Sequence, residues 1–373
     1  EARELFEIAA LKGHAGACYN YGLIFSKGIS VYIDKLKSFS FFEKASKHNH
    51  PQATTELGKL YEIGFGTLKD ENKAFQLYQK AVNLGDSQAQ YNLAMCYLNG
   101  VGTEIDQEKA RSLFEKASES GNAEAKYQLG LLYQKGIGGP VDTTKAADLF
   151  NEASRENIDG ASLQLGYCFL NGVGRKTEPN RAFSIFKKLG EKTHYNVEAA
   201  FQLAQFYMNG QATRADPEKA YGIFKKLSDE KNYIPAMCEL GICCIEGFGT
   251  KEDTSKGLAY LKKAAEKRNS KALNLLGVCY LKGKKKSKES KSEGIPEDPK
   301  LAIEYFRKAA ELGSMLAKVN LATCYIQGSG VPKQPERGYK YLQEAHEDPA
   351  AKFRIGVCLF KGAGVPCNKQ EGL

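Results

Sequence analysis

Apolar positions recur along this chain in two alternating kinds of segment. The first kind is seen in ELGKLYEIGFG, NLAMCYLNGVG, QLGLLYQKGIG and QLGYCFLNGVG, where a Leu precedes a small residue and an aromatic usually follows three later. The second kind is seen in AFQLYQKAVNLGD, ARSLFEKASESGN and AIEYFRKAAELGS. In both, apolar residues fall three or four apart, which gathers them on one face of an α-helix. The two segments are named helix A and helix B. Helix B carries an aromatic or Leu followed three residues later by a small or apolar residue, as in Phe42 and Ala45, Tyr78 and Ala81, Phe114 and Ala117, and Phe306 and Ala309.

The small residue after Leu marks each copy of helix A. It is Gly22, Gly58, Ala94, Gly130, Gly166, Ala204, Gly241, Gly277, Ala322 and Gly356, at spacings of 36, 36, 36, 36, 38, 37, 36, 45 and 34 residues. Self-similarity at this period is the mark of a repeat architecture. One helix pair cannot bury its apolar face alone, whereas stacked pairs bury a continuous core. The expected fold is therefore an all-α solenoid of about ten helix-turn-helix repeats, with 1–373 as one continuous array. A Gly or Ala at the marker position lets two helices approach. The Tyr three residues on (Tyr61, Tyr97, Tyr133, Tyr207, Tyr280, Tyr325) is expected to fill the space beside it.

The punctuation agrees with this reading. Helix A ends in Gly-x-Gly at Gly64/Gly66, Gly100/Gly102, Gly136/Gly138, Gly172/Gly174, Gly247/Gly249, Gly328/Gly330 and Gly362/Gly364. Glycine past a helix end accepts the left-handed conformation that satisfies orphan carbonyls. Asp70, Asp106, Asp142, Asp216, Asp253 and Asp298 precede helix B, where a carboxylate caps the N-terminus and complements its dipole. Pro217 and Pro299 follow at the first helical position, where a missing N–H costs little.

The phrase Leu-Gly-x-x-Tyr-x-x-Gly-x-Gly, then Asp-x-x-Lys-Ala, then Phe-x-Lys-Ala, resembles the Sel-one-like repeat family, a tetratricopeptide-like class. The resemblance covers nearly the whole chain. It implies a right-handed α/α superhelix with helix A on the concave side, and an adaptor or scaffold role. Members serve in endoplasmic-reticulum quality control, in fungal chitin-synthase activation and cell-cycle signalling, and in bacterial host interaction. A bacterial branch staples each repeat with a disulfide, but here the slots hold residues such as Ala45, Ala81 and Ala117. The array opens on a helix B and stops after a helix A, so it reads as cut mid-repeat at both ends. The 45-residue copy carries an excess, Lys284–Ile295, which reads as a basic flexible insertion that could also be phosphorylated at Ser287, Ser290 or Ser292.

Charge changes the picture in one respect. The net +9 is uneven: residues 1–185 hold 21 Lys and Arg against 22 Asp and Glu, and residues 186–373 hold 32 against 22. The basic character belongs to the second half. In helix B of that half, cations repeat in register as Lys187/Lys188, Lys225/Lys226, Lys262/Lys263 and Arg307/Lys308. Stacked copies make a basic outer stripe, which is either ordinary solvation or a surface for acidic partners. Nucleic acid is not expected, because no aromatic residues interleave to stack bases.

A second ladder lies on helix A. Two positions before the marker stand Asn20, Glu56, Asn92, Gln128, Gln164, Gln202, Glu239, Leu275, Asn320 and Arg354. Seven residues later stand Lys27, Asn99, Lys135, Asn171, Asn209 and Glu246. At about 100° per residue this line points away from the apolar face. A polar stripe there is expected to face the groove, where amides hydrogen-bond an extended peptide.

Catalytic and metal chemistry are not expected. Six of the ten Cys fall two residues after the marker (Cys96, Cys168, Cys243, Cys279, Cys324, Cys358), as small buried hydrophobes. Packed helices are roughly 10 Å apart, and a disulfide needs Cα atoms within about 7 Å, so these thiols are expected to stay reduced. Cys238, Cys243 and Cys244 lack C-x-x-C spacing, and the five His (His14, His48, His50, His194, His346) form no ligand pattern. The Gly-x-Gly pairs follow helices and lack the Gly-Lys-Ser/Thr of a phosphate loop. No cofactor is implied. No apolar run of about eighteen residues exists. Reduced Cys and the lack of any Asn-x-Ser/Thr sequon point to the cytoplasm. The chain opens on Glu1 rather than Met, which keeps the endoplasmic-reticulum lumen open. The expected function is a non-enzymatic scaffold binding protein or peptide partners. The alternatives are the regulatory repeats of a larger signalling enzyme such as a kinase, or a basic surface for acidic partners or nucleic acid.

Overall fold

A computed structural model describes residues 2–29, 31–192, 196–286 and 293–370. Twenty α-helices are found among them. The first ten are α1 (Ala2–Leu11), α2 (Ala15–Lys27), α3 (Lys35–Lys47), α4 (Pro51–Ile63), α5 (Glu71–Asn83), α6 (Ser87–Asn99), α7 (Gln107–Glu119), α8 (Ala123–Lys135), α9 (Thr143–Arg155) and α10 (Asp159–Asn171). The others are α11 (Pro179–Gly190), α12 (Val197–Asn209), α13 (Pro217–Lys231), α14 (Ile234–Glu246), α15 (Thr254–Glu266), α16 (Ser270–Lys282), α17 (Pro299–Glu311), α18 (Met315–Gln327), α19 (Pro335–Glu344) and α20 (Pro349–Lys361). Even-numbered helices are A and odd-numbered ones B. The chain divides into two compact units, Glu1–Ile185 and Phe186–Leu373. In the first, each helix from α1 to α10 packs on the next, and in the second each from α12 to α20 does. This is the helix-pair solenoid the period implies.

The core is built from helix B. Phe42, Tyr78, Phe114, Phe150, Phe186, Phe224, Leu261 and Phe306 are each 0–1% exposed. The marker residue of helix A makes room for these side chains. A Cβ on Gly58 would lie 2.7 Å from the Tyr78 ring, and one on Gly130 would lie 2.6 Å from Phe150. The space beside the marker is therefore filled by helix B of the same repeat and not, as expected, by the tyrosine three residues on. Those tyrosines sit at the end of helix A, where Tyr61 and Tyr97 take Phe39 and Phe75 edge-on.

The Gly-x-Gly pair does two different jobs. The first glycine is the expected left-handed cap, as at Gly64 (φ +70°) and Gly100 (φ +74°). The second lies against the start of the preceding helix B. A Cβ on Gly66 would overlap the Lys35 carbonyl, one on Gly138 the Gln107 carbonyl, and one on Gly249 the Pro217 carbonyl. It is a contact between repeats rather than a cap.

The caps of helix B follow the sequence reading. Asp70, Asp106, Asp142, Asp216, Asp253 and Asp298 accept a backbone N–H from the residue three on, as does Asp34. Gln334 replaces Asp in one copy, makes no such bond, and starts a helix of 10 residues where its neighbours have 13. At the 45-residue copy the expected loop is held at both ends. Lys284 and Ile295 exchange backbone hydrogen bonds of 2.8 and 2.7 Å, Ile295 is 4% exposed, and Lys284 pairs with Glu246 at 2.9 Å. Ser287, Ser290 and Ser292 lie outside the described residues, as does His194.

Candidate functional site

The polar line of helix A is half-buried at Asn20, Glu56, Asn92, Gln128, Gln164, Gln202, Glu239 and Asn320. Much of its hydrogen-bonding capacity is spent within the chain. Glu56 pairs with Lys59 at 2.7 Å, and Glu239 with Lys271 on the next helix A at 2.7 Å. Asn320 donates to Asn274, again across successive A helices, at 2.8 Å. Asn274 stands one position before the apolar Leu275, so the polar line shifts register there.

Asn92 belongs to a relay. Asn122 caps the Ala125 amide and donates to Gln88 at 3.1 Å, and Gln88 donates to Asn92 at 3.3 Å. The Asn92 Nδ2 is buried and has no hydrogen-bond partner among the described residues. Gln202 also has a partner within the chain. Asn20, Gln128 and Gln164 make no hydrogen bond through their side chains to the described residues. At the helix ends, Asn99, Lys135, Asn171 and Asn209 are exposed.

The start of helix A holds residues that the sequence left unassigned. The Nδ1 atoms of His14 and His50 accept the amides of Ala17 at 3.2 Å and Ala53 at 3.3 Å. They are N-caps, a role filled by Asn122, Asn196 and Asn269 in other copies. The His50 ring stacks on Tyr19 at 4.8 Å. Burial holds its pKa below the ordinary histidine value, against the opposing pull of Asp86.

A further ladder ties helix A to its helix B. Lys73 lies 4.3 Å from the ring centre of Tyr61, Lys109 5.4 Å from Tyr97, Lys145 4.3 Å from Tyr133, and Arg337 4.7 Å from Tyr325. The Lys of Asp-x-x-Lys-Ala was visible in the sequence as a repeat, but nothing there showed its ring partner.

The basic pairs of helix B, Lys187/Lys188, Lys225/Lys226, Lys262/Lys263 and Arg307/Lys308, are all exposed. Three of the eight cations are engaged by other residues of the chain, Lys308 lying 5.9 Å from the ring centre of Tyr305. Arg307 donates to the Tyr325 hydroxyl at 2.9 Å. Lys226 also interacts within the chain.

All ten cysteines are free thiols. Burial pushes Cys96 and Cys243 up to about 12, and Cys238 and Cys279 up to about 11, which makes poor nucleophiles. Among the described residues no three His, Cys, Asp or Glu converge to hold a metal ion, and no helix is long and apolar enough to cross a membrane.

The pattern of the Sel1 repeat matches residues 1–14, 15–50, 51–86, 87–122, 123–158, 160–194, 197–232, 234–269, 270–314, 316–346 and 349–373. This makes eleven matches where ten markers were read, the first being α1, which has no helix A before it. No curated protein matches the chain. Among solved structures, a protective antigen present in uropathogenic Escherichia coli strains, displaying an SLR fold, is similar with a TM-score of 0.75 and 26% identity, over 99% of this chain and 77% of that one. A Sel1 repeat protein from Oxalobacter formigenes has a TM-score of 0.58 and 23% identity, over 84% of this chain and 88% of that one. With the repeat matched along nearly its entire length and the helix pairs stacked as that repeat requires, the chain belongs to the Sel1 repeat family.

Proposed function

We propose that this chain is a protein-interaction scaffold that receives an extended segment of a partner protein along its A helices. Sel1 and tetratricopeptide-like repeats generally mediate protein–protein interaction. The observation that carries the reading is the state of Gln128 and Gln164. Both sit half-buried on one line of helix A with amide groups unspent within the chain. An extended peptide offers backbone N–H and C=O groups in alternation, and an amide side chain can meet either. Asn99, Lys135 and Asn171 continue the line at the exposed helix ends of the first unit. Glu56, Asn92, Glu239 and Asn320 already hold bonds within the chain.

The test is affinity capture with the parent chain and with Gln128→Lys/Gln164→Lys, both checked for unaltered circular dichroism and thermal unfolding. The double variant is expected to lose partners that the parent retains. Recovery of the same partners in the same amounts would overturn the assignment of this face.

A further inference from the structure

The B helices of residues 186–373 repeat one local arrangement. In α11 and α13, Phe186 and Leu189 bracket Lys187/Lys188, and Phe224 and Leu227 bracket Lys225/Lys226. In α15 and α17, Leu261 and Ala264 bracket Lys262/Lys263, and Phe306 and Ala309 bracket Arg307/Lys308. The bracketing residues are each 0–2% exposed. Residues one and two after a buried position point away from the side it shares with the residue three on. Core packing therefore fixes all four pairs outward in a common register. The corresponding pairs of the first unit are Glu43/Lys44, Gln79/Lys80, Glu115/Lys116 and Asn151/Glu152, which carry no net charge.

Lys187, Lys188, Lys225, Lys262, Lys263 and Lys308 form no ion pair among the described residues, and neither do Lys44, Lys80 and Lys116 at the same positions of the first unit, so the units differ in the number of cations there and in the carboxylates of Glu43, Glu115 and Glu152. Lys226 is left out of that set, since it interacts within the chain. Exposed carboxylates do follow one turn on, at Glu191, Asp229, Glu266 and Glu311. With Lys226 and Arg307 set aside, the remaining cations of the pairs still outnumber these carboxylates, so a positive field remains.

We propose that this face docks an acidic segment of a protein partner, separately from the A-helix surface. Seven of the eight cations are lysines, compact point charges that suit carboxylates held at irregular spacing; phosphate recognition favours the guanidinium fork. The one arginine is spent on the Tyr325 hydroxyl. Single strands of nucleic acid need exposed rings on which to stack, and Phe186, Phe224 and Phe306 are buried. A helix that lies in a membrane surface adds inserted apolar side chains to its charge attraction. The exposed large apolar residues of this unit, Phe248, Met315, Leu316, Phe353 and Phe360, all lie outside α11, α13, α15 and α17.

The experiment measures binding of fluorescent poly-L-glutamate to the whole chain over a salt series, beside a single-stranded oligonucleotide, a DNA duplex and phosphatidylserine vesicles. Lys187→Glu/Lys225→Glu/Lys262→Glu/Lys308→Glu is compared with Lys12→Glu/Lys44→Glu/Lys116→Glu/Lys176→Glu, which changes net charge equally at exposed lysines elsewhere. Poly-glutamate binding is expected to weaken roughly tenfold or more in the first variant and about twofold in the second. Equal losses in the two variants would reduce the effect to net charge and overturn the proposal. So would tighter binding of the parent chain to an oligonucleotide or vesicle. The corresponding Lys→Gln variants, which repel less, decide the matter if the glutamates impair folding. Gln128→Lys/Gln164→Lys should leave poly-glutamate binding intact, which keeps this test apart from that of the A-helix face.

Discussion

Lys219 holds its ammonium group 4.2 Å from the ring centre of Tyr207 and donates to the same tyrosine's hydroxyl at 2.7 Å. The lysine is near the start of α13 and the tyrosine near the end of α12, so one side chain closes the turn between the two helices of a repeat. A cation over a ring at an exposed site contributes about 0.5–1 kcal/mol. Lys219→Ala should therefore cost about 1 kcal/mol, and Tyr207→Phe less, since it keeps the ring. Urea denaturation of the two single variants and the double variant checks this. A coupling energy indistinguishable from zero would reduce the contact to proximity.

Gly66 and Gly85 make a matched pair for testing the contact between repeats. Both have positive φ, at +76° and +87°, but a Cβ on Gly85 meets nothing within 4 Å whereas one on Gly66 overlaps the Lys35 carbonyl. Gly85→Ala should cost about 1–2 kcal/mol from backbone conformation alone. Gly66→Ala should cost more than that by at least about 1 kcal/mol, because backbone must move. Equal losses in chemical denaturation would show that the second glycine is conformational only.

The thiols separate cleanly by burial. Cys367 is exposed, Cys279 is half-buried, and the other eight are buried. A chromogenic disulfide reagent should titrate one thiol rapidly in the native chain and all ten after denaturation. Cys367→Ser should abolish the rapid phase. Several thiols reacting at once under native conditions would mean that the solenoid opens readily.

Acid should weaken the first unit through His50. Its pKa is lowered in the folded chain, chiefly by burial, and its Nδ1 must stay unprotonated to accept the Ala53 amide. The folded state thus prefers the neutral ring. The stabilisation is complete above the unfolded value of about 6.5 and is lost as pH falls from there through the lowered folded value. His50→Asn keeps a capping oxygen at every pH, as Asn122 does. Thermal unfolding followed from about pH 7.5 to about pH 5 should fall less steeply in the variant. Parallel curves would exclude His50 as the titrating group.

What could be read in the sequence was set by range along the chain. Asp70 caps Lys73 three residues away, and Gly64 caps the helix it follows, so composition at a fixed offset was enough. The second glycine is left-handed as expected, but its contact was not legible, because the partner, the Lys35 carbonyl, is a repeat away and is backbone, which no residue type announces. Periodicity put Asn92, Gln128 and Gln164 on one line, but it treated every copy alike and did not show that Gln88 donates to Asn92 while accepting from Asn122, 34 residues away. The basic pairs were easier in direction, since residues held between two buried ones have one way left to point. Their availability was not legible: Lys226 and Arg307 look like the other cations in the sequence, and only the folded chain engages them.

The contact of Gly66 with Lys35 makes a repeat that ends in Gly-x-Gly a plug and a socket at once, whereas the copy that ends at Gly210 carries Ala212 in the second place. A repeat asks its neighbour for one bare Cα and one helix start, and it supplies the same two things at its other side. A duplication of 36 residues in register would therefore arrive with its own fittings. A duplication out of register would set a side chain against a carbonyl. Copy number is thus open to change by unequal exchange between neighbouring repeats, while in the Gly-x-Gly copies the size of the step is held by a glycine.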